Sequence, residues 1–192
     1  MMDGPSSFCA KKVQIIRNAA DGTIRSERKL ISTRYTMLSP EMVVEEAIKF
    51  KKQATERSEE YDEVWCVMDT EGPEKRESLA RALRVAREHD IKVCLSSPAF
   101  EVWLLLHFER SAGFCLDGRA VIVKLNKHWV KNFFMEYDKA DDRLYHRIAD
   151  STSTAIANAQ WVREIHHREK PDMVDCNPST EVYRLVKQFL SA

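Results

Sequence analysis

The chain has 192 residues, and its 30 Lys and Arg are balanced by 30 Asp and Glu, so the formal net charge is zero. That length suits one domain, and a hydrophobic content of 44% with a charged content of 31% is an ordinary globular balance. Five glycines and six prolines are too few for a collagen-like, disordered or turn-dense all-β chain, and neutrality excludes a uniformly basic nucleic-acid binder while allowing a local basic face.

Residues 1–8 read as a loose start, with no basic-then-apolar leader. Val13, Ile15 and Ile16 place a short strand over Lys12 to Arg17, and Asp21-Gly22 signals a turn. Ser39-Pro40-Glu41 has the form of a helix start: a hydroxyl at the cap, proline at the first position and an acid in the first turn. Val43, Val44, Ala47 and Ile48 then mark one apolar face of a helix running to about Glu56.

Glu63 to Asp69 is the clearest strand, because its unbroken apolar run bounded by charge suits a strand buried on both faces. Lys75 to His89 predicts an amphipathic helix with Leu79, Ala82, Leu83 and Ala86 inward and Arg76, Arg84 and Arg87 on the other side. Ile91 to Leu95 reads as a second buried strand, followed by Ser97-Pro98 as the cap of an apolar helix from Ala99 to about Phe108. Strand, helix, strand and helix joined by short connections predict an α/β fold, with a mainly parallel sheet flanked by helices.

From about Gly113 the chain reads as mostly helical. Helices are expected over Gly118 to Val130 and Ser151 to Glu169, and a last one is expected to start at Asn177-Pro178, with Asn177 as its cap. The expected organisation is an α/β core over residues 12–110, with a helical C-terminal region over 111–192 packed on the same domain. The longest apolar runs, Val102 to Leu106 and Val121 to Val123, are far shorter than the ~18 residues a membrane span needs. Five scattered cysteines without a C-x-x-C pair suit the reducing cytoplasm, and Cys66 and Cys94 lie in apolar runs as buried hydrophobes.

Two places invite chemistry. Asp69 and Glu71 leave the best strand at its carboxyl end, where ligands collect in open α/β sheets. Two carboxylates there can hold Mg2+, which takes a few carboxylates and completes its shell with water and phosphate oxygens; an ordinary acidic turn is the competing reading. Glu101 is the only charged residue between Val93 and Leu106. A buried carboxylate costs several kcal/mol unless paired, hydrogen-bonded or metal-bound, so Glu101 either organises the core through local bonds or faces the crevice of Asp69. A third feature is the interleaving of Lys124, Lys127, Lys131, Lys139, Arg143 and Arg147 with Trp129, Phe133, Phe134 and Tyr137. Such a segment either contacts single-stranded nucleic acid or is a solvated face above core aromatics.

Three blocks, Tyr61 to Asp69, Ser96 to Phe108 and Asn177 to Val186, resemble in order and spacing the RloB family of bacterial proteins. The middle block, Phe100-Glu101-Val102-Trp103-Leu104-Leu105-Leu106-His107-Phe108, is the most specific, and Tyr137-Asp138-Lys139 is similar to the family's Tyr-x-Lys element. The resemblance implies a Toprim-like, Mg2+-dependent (or Mn2+-dependent) nuclease of a phage-defence system, commonly beside an ABC-type ATPase. It assigns Asp69 and Glu71 to the metal, Glu101 and Lys139 to the same catalytic site, and nucleic acid as the substrate. Lys124, Lys127, Lys131 and Arg143 are the candidate nucleic-acid contacts.

The chain departs from the family in three respects. No Glu-Gly-x-x-Thr-Glu loop precedes Lys12, the acidic pair is Asp-x-Glu rather than Asp-x-Asp, and Ser97-Pro98 replaces Asn-Pro. A missing start or a degenerate member both fit. The rival expectation is therefore a non-catalytic module that docks the ATPase or another defence subunit. A further one is self-association through exposed apolar sheet.

Overall fold

A computed structural model describes residues 12–18, 24–29, 39–59, 61–70, 75–167 and 173–190. The expected loose start, the Asp21-Gly22 turn and Glu71 lie outside the described residues. Among the described residues the elements are β1 (Lys12–Asn18), β2 (Ile24–Lys29), α1 (Pro40–Glu56), β3 (Glu63–Asp69), α2 (Arg76–Glu88) and β4 (Lys92–Ser97). They continue with α3 (Glu101–Leu105), α4 (Gly118–Phe133), α5 (Leu144–Ile148), α6 (Thr152–His167), β5 (Ser179–Thr180) and α7 (Val182–Leu190).

The α/β architecture is as expected, but the sheet is not mainly parallel. Its order is β2-β1-β3-β4-β5, and only β3 and β4 run parallel; β1–β2, β1–β3 and β4–β5 are antiparallel. β3 and β4 are joined by a single helix, α2, the crossover that a parallel pair needs, whereas β1 and β2 follow one another in the chain. The sequence reading also missed β2, whose Ile24-Arg-Ser-Glu-Arg-Lys29 run is too charged to register as a strand, and β5, which has only two residues.

β3 sits between β1 and β4 and is buried from Val64 to Asp69. Alternate residues leave opposite faces of a strand. Val64, Cys66 and Met68 pack on α1 and α2 with Val43, Val44, Ala47, Leu79, Ala82 and Ala86. Trp65 and Val67 enter a second cluster with Trp103 of α3, Leu125 and Trp129 of α4, Ala159 of α6 and Leu185 of α7. Asp69 shares the parity of Trp65 and Val67, and so leaves the sheet on the α3–α4 side.

α1 begins as its sequence predicts, with the Ser39 hydroxyl accepting from the Met42 amide at 3.3 Å and Pro40 in the first turn. Two other expected caps are corrected. Ser97 ends β4 instead of capping a helix from Ala99, and its hydroxyl accepts a bond from Thr70 at 3.0 Å. The helix that follows, α3, starts later, at Glu101, with no side-chain cap. Asn177 does not start the last helix either. Its side chain accepts from the Cys115 amide at 3.1 Å and donates to the Cys115 carbonyl at 2.8 Å, pinning the loop ahead of α4. Ser179 and Thr180 instead extend the sheet, and α7 begins at Val182, whose amide donates to the Thr180 hydroxyl. Ser97 and Asn177 both bond across the fold instead of capping the helix that follows them. Among the described residues, no helix is long and apolar enough to cross a membrane.

Candidate functional site

The carboxyl ends of β3 and β4 form one side of the site. Asp69 pairs with Ser96 across the parallel ladder, and the Thr70 amide continues it by donating to the Ser96 carbonyl at 2.9 Å. The hydroxyls of Ser96 and Thr180 lie 2.8 Å apart, tying β5 to the same end. Asp69, Thr70, Ser96, Ser97, Ser179 and Thr180 are all buried, so this strand end is a densely polar interior.

Glu101 forms the other side. It is the first residue of α3 and only 3% exposed. It does not bond local amides. Its Oε1 pairs with the Lys139 ammonium at 2.6 Å and accepts a long bond, 3.4 Å, from the Tyr137 hydroxyl. Both partners come from the connection between α4 and α5. That connection is aimed by local chemistry: Phe134 ends α4 in the left-handed region (φ 57°), which turns the chain back. The Tyr137 amide then donates to the Asn126 side chain at 2.7 Å, and its ring meets Trp129 edge-on at 5.5 Å. The Asp138 carboxylate closes the next turn by accepting from the Ala140 amide at 2.9 Å.

Burial pushes the Tyr137 hydroxyl far above its ordinary pKa, and the negative charges of Glu101, Asp138 and Asp69 add to the shift. Tyr137 is therefore a proton donor at any ordinary pH and not a base. Tyr137 and Lys139 thus both bond Glu101, and the Asp69 carboxylate, which leaves the sheet on the same side, contributes to the field at the phenol. Tyr137 was visible in the sequence as part of Tyr137-Asp138-Lys139 and of the basic-aromatic segment, not as a partner of Glu101.

Among the described residues no three of His, Cys, Asp and Glu are arranged to hold a metal ion. The donor set still suits an ion that takes one or two carboxylates and fills its shell with water and phosphate oxygens. Asp69 is its described member, whereas Glu101 has its charge balanced by Lys139.

The expected nucleic-acid contacts divide. Lys127 and Lys131 are exposed on α4, and Arg143 is exposed just ahead of α5. Lys124 instead reaches back to the Gly113 carbonyl at 3.4 Å and Cys115 Sγ at 3.3 Å. Trp129, Phe133 and Tyr137 lie beneath the basic face as core or partly buried aromatics, packed with Phe108. Phe134 alone of the interleaved aromatics stands out, 92% exposed. Cys66 and Cys94 are buried, and burial pushes both thiols up to about 12, so they remain unreactive thiols.

Comparison with known proteins gives one match. The model of the family described as RloB-like protein matches residues 8–189. No curated protein and no solved structure matches the chain.

Proposed function

The chain belongs to the RloB-like protein family, and from that premise we propose that it cleaves phosphodiester bonds of nucleic acid, with Mg2+ or Mn2+, as part of a bacterial phage-defence system. The single observation behind this reading is the pairing of Glu101 with Lys139, distant in the chain, on the side of the sheet that Asp69 also takes at the carboxyl end of the parallel β3–β4 pair. The β3–α2–β4 unit is the part of the fold that a Toprim-like kinship would predict.

Asp69, with Glu71 two residues on, would hold the cation. When bound, such an ion polarises the scissile phosphate and lowers the pKa of an attacking water. Lys139 stands ready to neutralise charge developing on the phosphate oxygens. Glu101 positions that ammonium. Tyr137, protonated throughout, donates to Glu101 and fixes its carboxylate.

The test is a melting curve of the full chain with Mg2+ or Mn2+, read beside cleavage of tRNA and DNA. The ion should raise the melting temperature of the wild type and leave that of Asp69→Ala where it was, and cleavage should require both. A wild type indifferent to both ions would remove the metal site and the nuclease reading with it.

A second reading rests on its own observation. Glu101 is already balanced by Lys139, and no acid trio is present among the described residues. Such a site suits a non-catalytic module that docks an ABC-type ATPase. A protein that binds the ATPase yet leaves tRNA and DNA intact with Mn2+ would favour it.

A further inference from the structure

α4 contains no acidic residue, although the chain as a whole is neutral. Its outer face repeats at helical spacing: Val123, Lys127, Val130 and Phe134 fall in one stripe, with Lys131 beside it, and all five are exposed. α5 lies against the end of α4: the Arg147 guanidinium is 5.7 Å from the Phe133 ring centre, and there Arg143 and Tyr145 are exposed.

Phe134 is the most telling residue. It is 92% exposed and holds a left-handed backbone (φ 57°) that costs a residue with a Cβ about 1–2 kcal/mol. Neither packing nor backbone preference explains a phenylalanine there, where glycine or asparagine would end the helix more cheaply. Tyr145 of α5, 64% exposed, is a second exposed aromatic on the neighbouring helix.

We propose that this surface is the track for a single-stranded nucleic acid, with phosphates against Lys127, Lys131 and Arg143 and bases stacked on Phe134 and Tyr145. The proposal rests on the nucleic-acid reading above and adds the strand type and its path. Charge complementarity selects the occupant. A second copy of the same face would set Lys127 and Lys131 against their own kind. Aromatic rings exposed among cations suit bases and phosphates, the combination that holds single strands without sequence preference. Of the acids in the neighbouring connection, Asp141 pairs with Arg147 at 2.8 Å, while Glu136, Asp138 and Asp142 are exposed beside the basic helix, which itself carries no acid. The same connection delivers Tyr137 and Lys139 to the strand-end site, so a strand on α4 passes beside it.

Fluorescence anisotropy of the full chain with a labelled oligouridylate of about 20 nucleotides, in EDTA, tests this. Three phosphate contacts predict a log–log salt slope of about −2 for a single strand, and the Lys127→Glu, Lys131→Glu pair should bring it to about −0.7. Phe134→Ala should weaken binding about fivefold or more, and Phe134→Tyr should restore it. Phe134→Gly should weaken binding while raising the melting temperature, which separates stacking from folding. Unchanged affinity in Phe134→Ala would overturn the proposal. So would a duplex of the same length bound as tightly, or polyglutamate competing as well as the oligonucleotide, which would mark an acidic-protein dock. Binding in EDTA does not need the cation at Asp69, so this surface and the metal site stand or fall separately.

Discussion

Glu101 and His107 lie within two turns of each other and are both almost fully buried, yet they resolve burial in opposite ways. Glu101 acquires a partner, the Lys139 ammonium at 2.6 Å. Removing the ammonium would strand a buried carboxylate, a situation that costs about 3–5 kcal/mol where it has been measured. His107 gives up its charge instead. Burial holds its pKa below the ordinary 6.5, its Nδ1 lies 2.9 Å from the Trp103 carbonyl, and its ring meets Trp103 edge-on. The sign of the pH dependence follows. Unfolded His107 takes a proton at about pH 6.5 and the folded residue does so only lower, so its contribution to stability is complete above that pH and declines as pH falls below it. Melting curves from about pH 7 to pH 5 should therefore fall, and should fall less steeply in His107→Gln, whose amide can still reach the Trp103 carbonyl. The sequence marked Glu101 as a lone charge in an apolar run and the family resemblance put Lys139 in the same site, but their direct pairing across 38 positions shows only in the fold.

At the scale of elements, α4 is the piece on which the site depends, because the connection after it carries Tyr137 and Lys139. Its start is held by Asp117, whose carboxylate accepts from the Ala120 amide at 2.8 Å, and by Gly118, where a Cβ would stand 3.0 Å from that of Ala99. Asp117→Ala should cost about 1 kcal/mol and lower the melting temperature without changing the far-UV spectrum. The strong local signals all formed: the Ser39-Pro40 start, the apolar run of β3, and the stripe of α2. The caps read at Ser97 and Asn177 did not, because both residues bond across the fold, to Thr70 and to Cys115. Cap chemistry and sheet-edge chemistry use the same residue types, so a local pattern cannot separate them.

The whole molecule is a sheet with a core on each face. α1 and α2 cover one, and α3, α4, α6 and α7 cover the other, a cluster that joins residues from Trp65 to Leu185. β3 contributes to both cores, so neither can melt alone. Leu79→Ala and Leu125→Ala, one in each core, should each cost about 2–5 kcal/mol and lower the same single transition, whether followed by far-UV or by tryptophan signal. Two separate transitions would show that the halves fold independently. At the sheet margins, β2 carries Arg25, Glu27, Arg28 and Lys29, and β5 is two residues long; both discourage edge pairing, so association between copies would have to use a face.

The sequence alone determined what depends on neighbours in the chain: helix starts, the stripe of α2, the two-faced burial of β3, and the family blocks. Strand direction and the partners of Ser97, Asn177 and Glu101 were decided only by the tertiary structure. The physical reason is range. Caps and periodicity are free energies of a few adjacent residues, whereas ladder hydrogen bonds and buried ion pairs exist only after distant segments have closed on one another.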